Sequence, residues 1–330
     1  MRRYSFGELR ELIRRALSDC PGFGRCVDVD GKIRHIDQGI WHFNYWFWIR
    51  GRDVPAGRSE QAYILRILDQ REDWQQGPDA RDRLLREADT LQVLQKVDFL
   101  HVTPEFICFV EDDEGETVGM IETACPGCSL ERSKDRSTLQ LAARVAADVH
   151  RLAPADFGHL PTYGSKTEHV RSQLAAVDEA VFDEFPTAKE VRAWIEGQTF
   201  ADDRPCVLHG DLLPQNLLRD WLTADQEEPP VAVVEWEMAT IGDPASDLAI
   251  VSRGNRKVLG KNYGLKALVQ DYLEYGGQTL SISDVHLHEL LLVLLWLEES
   301  WREYQKPEPS GHGPGYYETK LNSLFRRTIA

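Results

Sequence analysis

The chain has no long apolar run. Its longest, Leu290 to Leu297, falls well short of the roughly 20 residues that cross a bilayer, so no membrane-spanning helix is expected. A leader's continuous apolar stretch is missing too. The start, Met1-Arg-Arg-Tyr-Ser-Phe-Gly-Glu-Leu-Arg, mixes charges with apolar residues at helical spacing, so no secretory signal is expected and a cytoplasmic protein is the default. Positive charge is scarce. Lys and Arg total 38 against 54 Asp and Glu, a formal charge of −16. That field repels phosphate backbones and argues against a nucleic-acid partner; it suits a cationic small molecule, or simply a well-solvated surface. There is no internal repeat and no low-complexity tract. The six cysteines include two close pairs, Cys20/Cys26 and Cys125/Cys128. Nothing requires residue 20 to lie beside residue 125, so reduced thiols packed as small apolar groups are the favoured reading, with a thiol-metal site at Cys125 and Cys128 as the competitor.

At 330 residues the chain can fill two cores. Residues 4–18 are expected to form an amphipathic helix. Lys32–Asp37, Asn44–Arg50 and Gln61–Asp69 are rich in β-branched and aromatic residues and bounded by Gly and Pro, which predicts three strands. Asp79–Leu94 carries Leu84, Leu85, Ala88, Leu91 and Leu94 on one helical face. Strands near 106–111 and 117–122 follow, joined by an acidic turn. Beyond Cys128 the pattern turns helical: 137–152, 168–184, 186–196, 247–252, 265–275, 283–304 and 316–326. The expected plan is α+β and bilobal: a strand-rich lobe over residues 1–122 with one main helix, a joint at 123–128, and a larger, mostly helical lobe over 129–330, with a ligand cleft between them.

The chemistry concentrates in Val207-Leu-His209-Gly210-Asp211-Leu-Leu-Pro214-Gln-Asn216. An attacking hydroxyl needs a base within hydrogen-bond reach, and Asp211 is the candidate. Asn216 offers a neutral oxygen to a divalent metal without adding negative charge near phosphates. Pro214 stiffens the stretch between them, and His209 is expected to hold the loop. Some twenty residues on, the buried run Val231–Val234 presents Glu235 where a phosphoryl-transfer site carries its second metal carboxylate, usually Asp. The extra methylene moves the carboxylate by roughly 1.5 Å. Glu237 is expected as a surface or supporting residue, Asp243 or Ser246 as the cap of a helix start, Asp247 as a structural acid in that helix's first turn, and His150 as structural. Arg66 on the third strand and Glu87 on the first lobe's helix stand where a phosphate-touching cation and its carboxylate partner are found, the cation usually being Lys. The competing reading of Arg66 is a solvent-facing strand residue. Gly39, in the turn Gln38-Gly-Ile-Trp-His-Phe-Asn44, allows close approach of backbone to phosphate.

With these parts in place the chain resembles the aminoglycoside phosphotransferase and choline-kinase-like family, small-molecule kinases with a protein-kinase-like fold. The resemblance rests on His209-Gly-Asp211…Asn216, Val233-Val-Glu235-Trp-Glu237 and Gly242-Asp-Pro244…Asp247-Leu-Ala249, with support from Arg86-Glu87-Ala88 and Pro126-Gly127. It implies ATP (or GTP) with its base against the Glu122–Cys125 backbone, Asp211 as catalytic base, and Asn216 and Glu235 on Mg²⁺. Arg66 and Glu87 would take the Lys–Glu positions. A small-molecule acceptor (aminoglycoside, amino alcohol or sugar) would be offered by the helical lobe, with Asp178, Glu179, Glu298, Glu299 and Trp301 as lining candidates. The departures at Arg66 and Glu235 leave a second possibility, a nucleotide-binding pseudokinase with weak or no catalysis.

Overall fold

The N-terminal strands pair into a single antiparallel sheet. The computed structural model describes residues 4–23, 27–36, 42–51, 54, 56–68, 80–133, 135–200, 204–219, 231–253, 264–306, 309 and 311–329. Over these, the chain forms two compact units. The first comprises Met1–Cys128 and Leu218–Met238; the second comprises Ser129–Leu217 and Ala239–Ala330.

The first unit holds α1 (Phe6–Ser18), β1 (Asp28–Ile36), β2 (His42–Arg50), the short α2 (Ala56–Ser59), β3 (Ala62–Leu68), α3 (Ala80–Leu94), β4 (Phe106–Glu111) and β5 (Thr117–Thr123). The five strands make an antiparallel sheet in the order β1-β2-β3-β5-β4. β1 starts earlier than the sequence pattern suggests because a register shift between Asp30 and Arg34 interrupts its alternation. One sheet face packs on α1: Leu9, Ile13 and Leu17 meet Val29, Phe47, Leu65, Ile67 and Val110. The other face packs on α3, where Leu84 and Ala88 meet Met120. Arg66 pairs with Met120 in the ladder and so shares its face. This decides between the two readings of Arg66. It does not face solvent; it is 1% exposed, beneath α3. Gly119 makes the close strand approach possible, since a Cβ there would lie 2.2 Å from the Arg66 carbonyl oxygen.

The segment 218–238 belongs with this unit through β9 (Val231–Val233), which follows the short strands β6 (Cys128–Ser129), β7 (Cys206–Leu208) and β8 (Leu217–Arg219) along the chain. Val102 N–H donates to the Val231 carbonyl and Val233 N–H to the Val102 carbonyl, 3.0 and 2.9 Å. Trp236, fully buried, packs edge-on against Phe99.

The second unit contains α4 (Arg136–His150), α5 (Lys166–Ala175), α6 (Glu179–Glu184), α7 (Pro186–Glu196), β7, β10 (Thr240–Gly242), α8 (Ala245–Arg253), α9 (Leu265–Glu274), α10 (Ile282–Tyr304) and α11 (Pro314–Ile329). β7 and β10 pair antiparallel. A helical core draws on α5, α6, α7, α10 and α11, with Val170, Phe182, Val191, Leu290, Leu294 and Leu324 at its centre. The single helix expected over 168–184 is two helices. Asp178 breaks it: its side chain accepts from Ala180 N–H and starts α6 as an N-cap. Among the described residues, no helix is long and apolar enough to cross a membrane.

Candidate active site

The residues singled out by sequence fall into two clusters, one in each unit. In the second unit the buried strand β7, Cys-Val-Leu, delivers the chain into the loop at His209. Gly210 takes φ +78, a left-handed conformation that suits glycine, and turns the backbone so that two successive N–H groups point the same way. Both are caught by one carboxylate: His209 N–H donates to Asp247 Oδ2 and Gly210 N–H to Asp247 Oδ1, each 2.9 Å. Asp247 sits at the start of α8, fully buried, and its Oδ2 also meets His150 Nε2 at 3.2 Å. His150 in turn bonds the Tyr272 hydroxyl through Nδ1. Burial alone would raise the Asp247 carboxyl, but the His150 hydrogen bond and the donors around His209 hold it below its ordinary value. Asp247 therefore has the structural role expected of it, and more than a place in the first turn of α8: it braces the loop.

The loop then holds itself. His209 Nδ1 accepts the Asp211 N–H at 3.2 Å, as expected of a loop-holding His. Leu213 N–H donates to the Asp211 carbonyl at 2.7 Å, and a short 3-10 turn, Pro214–Asn216, follows. Asn216, buried, donates its amide nitrogen to both the backbone carbonyl and Oδ2 of Asp211, 2.8 Å each. The Asp211 carboxylate is thus oriented by the residue five positions on, and it remains half-buried rather than sealed. With its nitrogen turned to Asp211, the Asn216 amide presents its oxygen elsewhere.

Behind this loop lies a second buried polar group. Asp243 accepts from Ala245 N–H at 3.0 Å and meets His288 Nε2 at 2.9 Å and Lys166 Nζ at 3.4 Å. Lys166 also pairs with Asp284. Asp243 N–H donates to His169 Nδ1 at 3.0 Å, and that imidazole stacks on Tyr163 with centroids 4.4 Å apart. Burial, with the charge of His288, pushes His169 down to about 3, so the ring is neutral and accepts. These contacts give Asp243 the structural role read from the sequence.

In the first unit, Arg66, Glu87, Glu122 and Glu235 come together. Arg66 Nη1 donates to Glu87 Oε1 at 2.6 Å and Nη2 donates to Glu235 Oε2; Glu122 Oε1 lies 3.8 Å from Nη1. Glu87 Oε1 also accepts the Trp236 N–H at 2.9 Å. Glu237, expected as a surface or supporting residue, is buried because its turn lies under α3, with Arg86 donating to its carbonyl at 3.3 Å. One guanidinium thus faces several carboxylates. Burial holds back the charged form of Arg66, but Glu235, Glu87 and Glu122 keep it firmly cationic. Burial pushes the Glu122 carboxyl up to about 7; Arg66 pulls the other way and Glu235 adds to the rise. Buried oxygens of Glu87 and Glu122, Oε2 in each, have no hydrogen-bond partner.

Glu235 is the one non-glycine residue with positive φ, +67, among the described residues. Its side chain keeps 28% exposure while Arg66 keeps 1%. Cys125 lies just past the β3–β5 ladder, which ends at Tyr63 and Thr123, with Ala124 N–H still donating to Ala62. Burial pushes its thiol up to about 12, whereas Cys128 is exposed. Gly39 lies outside the described residues. The acidic residues offered as acceptor contacts have other partners: Asp178 caps α6, Glu179 pairs with Arg192, and Glu298 is buried against Arg302. Trp301 packs on the helical core, and Glu299 is exposed.

Several known proteins resemble this chain in sequence or in fold. Residues 33–280 match the sequence profile of the phosphotransferase enzyme family. Viomycin phosphotransferase of Streptomyces vinaceus is 29% identical over 219 residues, 60% of this chain and 69% of that protein. Acyl-CoA dehydrogenase family member 11 of Gallus gallus is 28% identical over 124 residues, and there the match spans 36% of this chain but only 15% of the relative's length. Among solved structures, macrolide 2'-phosphotransferase type I superposes with a TM-score of 0.65 at 14% identity, covering 97% of this chain and 99% of that one. The GDP and kanamycin complex of the phosphotransferase APH(2")-IIia gives 0.63 at 14% identity, covering 97% of both. These structures share the α+β, protein-kinase-like plan.

Proposed function

The chain belongs to the phosphotransferase enzyme family, and we propose that it moves the γ-phosphoryl group of ATP (or GTP) onto a hydroxyl of a polar small molecule, with Asp211 as base. The observation that carries this reading is the orientation of Asp211. Asn216 donates to the half-buried carboxylate, His209 accepts the backbone N–H of the same residue, and Asp247 holds the N–H groups of His209 and Gly210. A carboxylate so held accepts the hydroxyl proton as the oxygen attacks phosphorus. Pre-organisation of this kind removes the cost of reorienting the base during reaction.

A divalent cation fits the donor chemistry. The Asn216 amide oxygen and a Glu235 carboxylate oxygen are hard donors of the type that Mg²⁺ takes, and the Asn216 nitrogen is already engaged. When bound, the cation would neutralise phosphate charge. Arg66, held by Glu87, would supply a fixed positive charge near the nucleotide, and the backbone at Glu122–Cys125 would meet the base. Nucleotide complexes of the structural neighbours, such as the GDP complex above, support a nucleotide substrate. The charge of −16 favours a cationic acceptor, in keeping with relatives named for viomycin or solved with kanamycin.

The test is turnover with Mg·ATP or Mg·GTP against a panel of aminoglycosides, peptide antibiotics, amino alcohols and sugars. Transfer to a hydroxyl that is lost in Asp211→Ala supports the reading. Tight nucleotide binding without transfer to any acceptor refutes it. One observation favours a nucleotide-binding pseudokinase instead: Arg66 occupies one oxygen of Glu235. Magnesium-independent ATP binding in a thermal-shift titration would select that alternative.

A further inference from the structure

We propose that Arg66 and Glu235 are a matched pair, in which the longer cation on β3 and the longer carboxylate after β9 offset one another, so that Arg66 is the positioning residue for the Glu235 carboxylate. The inference builds on the phosphotransferase reading, but the contacts and the backbone conformation behind it do not need that reading. Phosphoryl-transfer sites of this plan usually carry Lys and Asp at these positions. Both positions differ here, both toward greater reach, and the two side chains touch.

The guanidinium does what an ammonium cannot. Nη1 serves Glu87 and Nη2 serves Glu235, so one rigid fork fixes the spacing of two carboxylates. A lysine ammonium is a single point on a flexible stem and holds no such spacing. Conversely, Asp at 235 would withdraw its carboxylate by roughly 1.5 Å and leave Nη2 unmatched in a site where Arg66 is 1% exposed.

The backbone gives an independent reason. Glu235 sits at φ +67, a conformation a non-glycine residue keeps only when its surroundings over-determine it. Here both ends are fixed. Arg66 holds the tip of the Glu235 side chain, and Glu87 holds the next peptide through Trp236 N–H. Arg66 and Glu87 are themselves bonded, so the three residues close a clamp around the strained position. The clamp uses Oε2 of Glu235, and its side chain stays partly exposed.

The experiment is a double-mutant cycle: wild type, Arg66→Lys, Glu235→Asp, and the two combined. The first readout is melting of the ligand-free protein. The second is the Mg²⁺ concentration needed for half-maximal turnover. Each single substitution should lower the melting temperature and raise the Mg²⁺ requirement by ~10-fold. The double variant should lie closer to wild type than either single variant in both readouts. Losses that simply add would overturn the pairing. If no chain in the set transfers phosphate, the melting cycle still decides the pairing, and the phosphotransferase reading fails separately. Should Arg66→Lys not fold, Glu235→Gln keeps the test alive. It retains the reach, so ligand-free melting should stay near wild type while the Mg²⁺ response is lost. A fall as large as that of Glu235→Asp would contradict the length match.

Discussion

Asp247 and Glu122 are both buried acids, one in each unit, and their protons behave in opposite ways. Asp247 collects donors: two backbone N–H groups and an imidazole nitrogen. It stays ionised and makes a rigid brace. Glu122 sits among other carboxylates that share one guanidinium, and it is driven toward the protonated form. The His209–Gly210 turn is therefore ordered by hydrogen bonds that a single anion satisfies. The Arg66 cluster is ordered by charge pairing with carboxylates in excess. The first arrangement is insensitive to what else binds. The second has more carboxylates than its one guanidinium can pair, and burial settles part of that excess by favouring the protonated form of Glu122.

The largest expected effect is at the loop. Asp211→Ala should lower kcat by ~10³-fold with nucleotide affinity little changed, measured by ATP consumption and by nucleotide titration. Retained turnover would remove the base from the account. Next is the brace. Asp247→Ala leaves one buried and one partly buried N–H group without an acceptor and should cost about 3 kcal/mol in chemical denaturation, with turnover falling as the loop loosens. A loss near zero would mean that the loop is held by something else.

The opposed protons give a sign test. Glu122 has a folded value of about 7 against an ordinary 4.5, so the folded chain binds this proton more tightly. Its stabilising share is complete below 4.5 and is lost as pH rises through 7. Glu122→Gln should flatten that decline and be the more stable chain at about pH 8, by roughly 1–3 kcal/mol at most. Asp247 runs the other way, since its folded value is depressed: its share is present above its ordinary 3.8 and fades as the solution becomes more acid. Urea midpoints against pH for wild type, Glu122→Gln and Asp247→Asn would separate the two. Parallel profiles would erase the contrast.

The smallest effect is chemical. A hydrogen bond from Cys108 lowers the Cys20 thiol to about 7, against burial, while Cys108 is raised. Alkylation at neutral pH followed by peptide mapping should find Cys20 modified well before Cys108 and Cys125. Equal rates would show that the first unit's thiols are not differentiated.

Much of the fold was legible because its signals are local. β-Branched and aromatic runs between Gly and Pro marked the strands, helical spacing marked α3 and α10, and the His-Gly-Asp…Asn stretch marked the loop. Chain-distant partners were not. Nothing local in residues 218–238 says that this segment joins the first unit; that follows from Val102, Glu87 and Arg66, far away in sequence. Asp247 looked like an ordinary helix-start acid, and only its contact with the turn at Gly210 shows the brace. The fixed interval between the loop and the Gly242–Ala249 block was the one available hint. Arg66 could not be assigned from alternation alone, since burial of its face depends on where α3 packs. Likewise, the length match between Arg66 and Glu235 needs two positions 169 residues apart to be seen together.

The most direct test of the central claim compares wild type and Asp211→Asn with Mg·ATP and one accepted small molecule, following the phosphorylated product by mass spectrometry. The account predicts a phosphorylated hydroxyl with wild type and almost none with Asp211→Asn, while both bind nucleotide alike. Equal product from the two chains would contradict it, as would nucleotide hydrolysis with no phosphorylated acceptor at all.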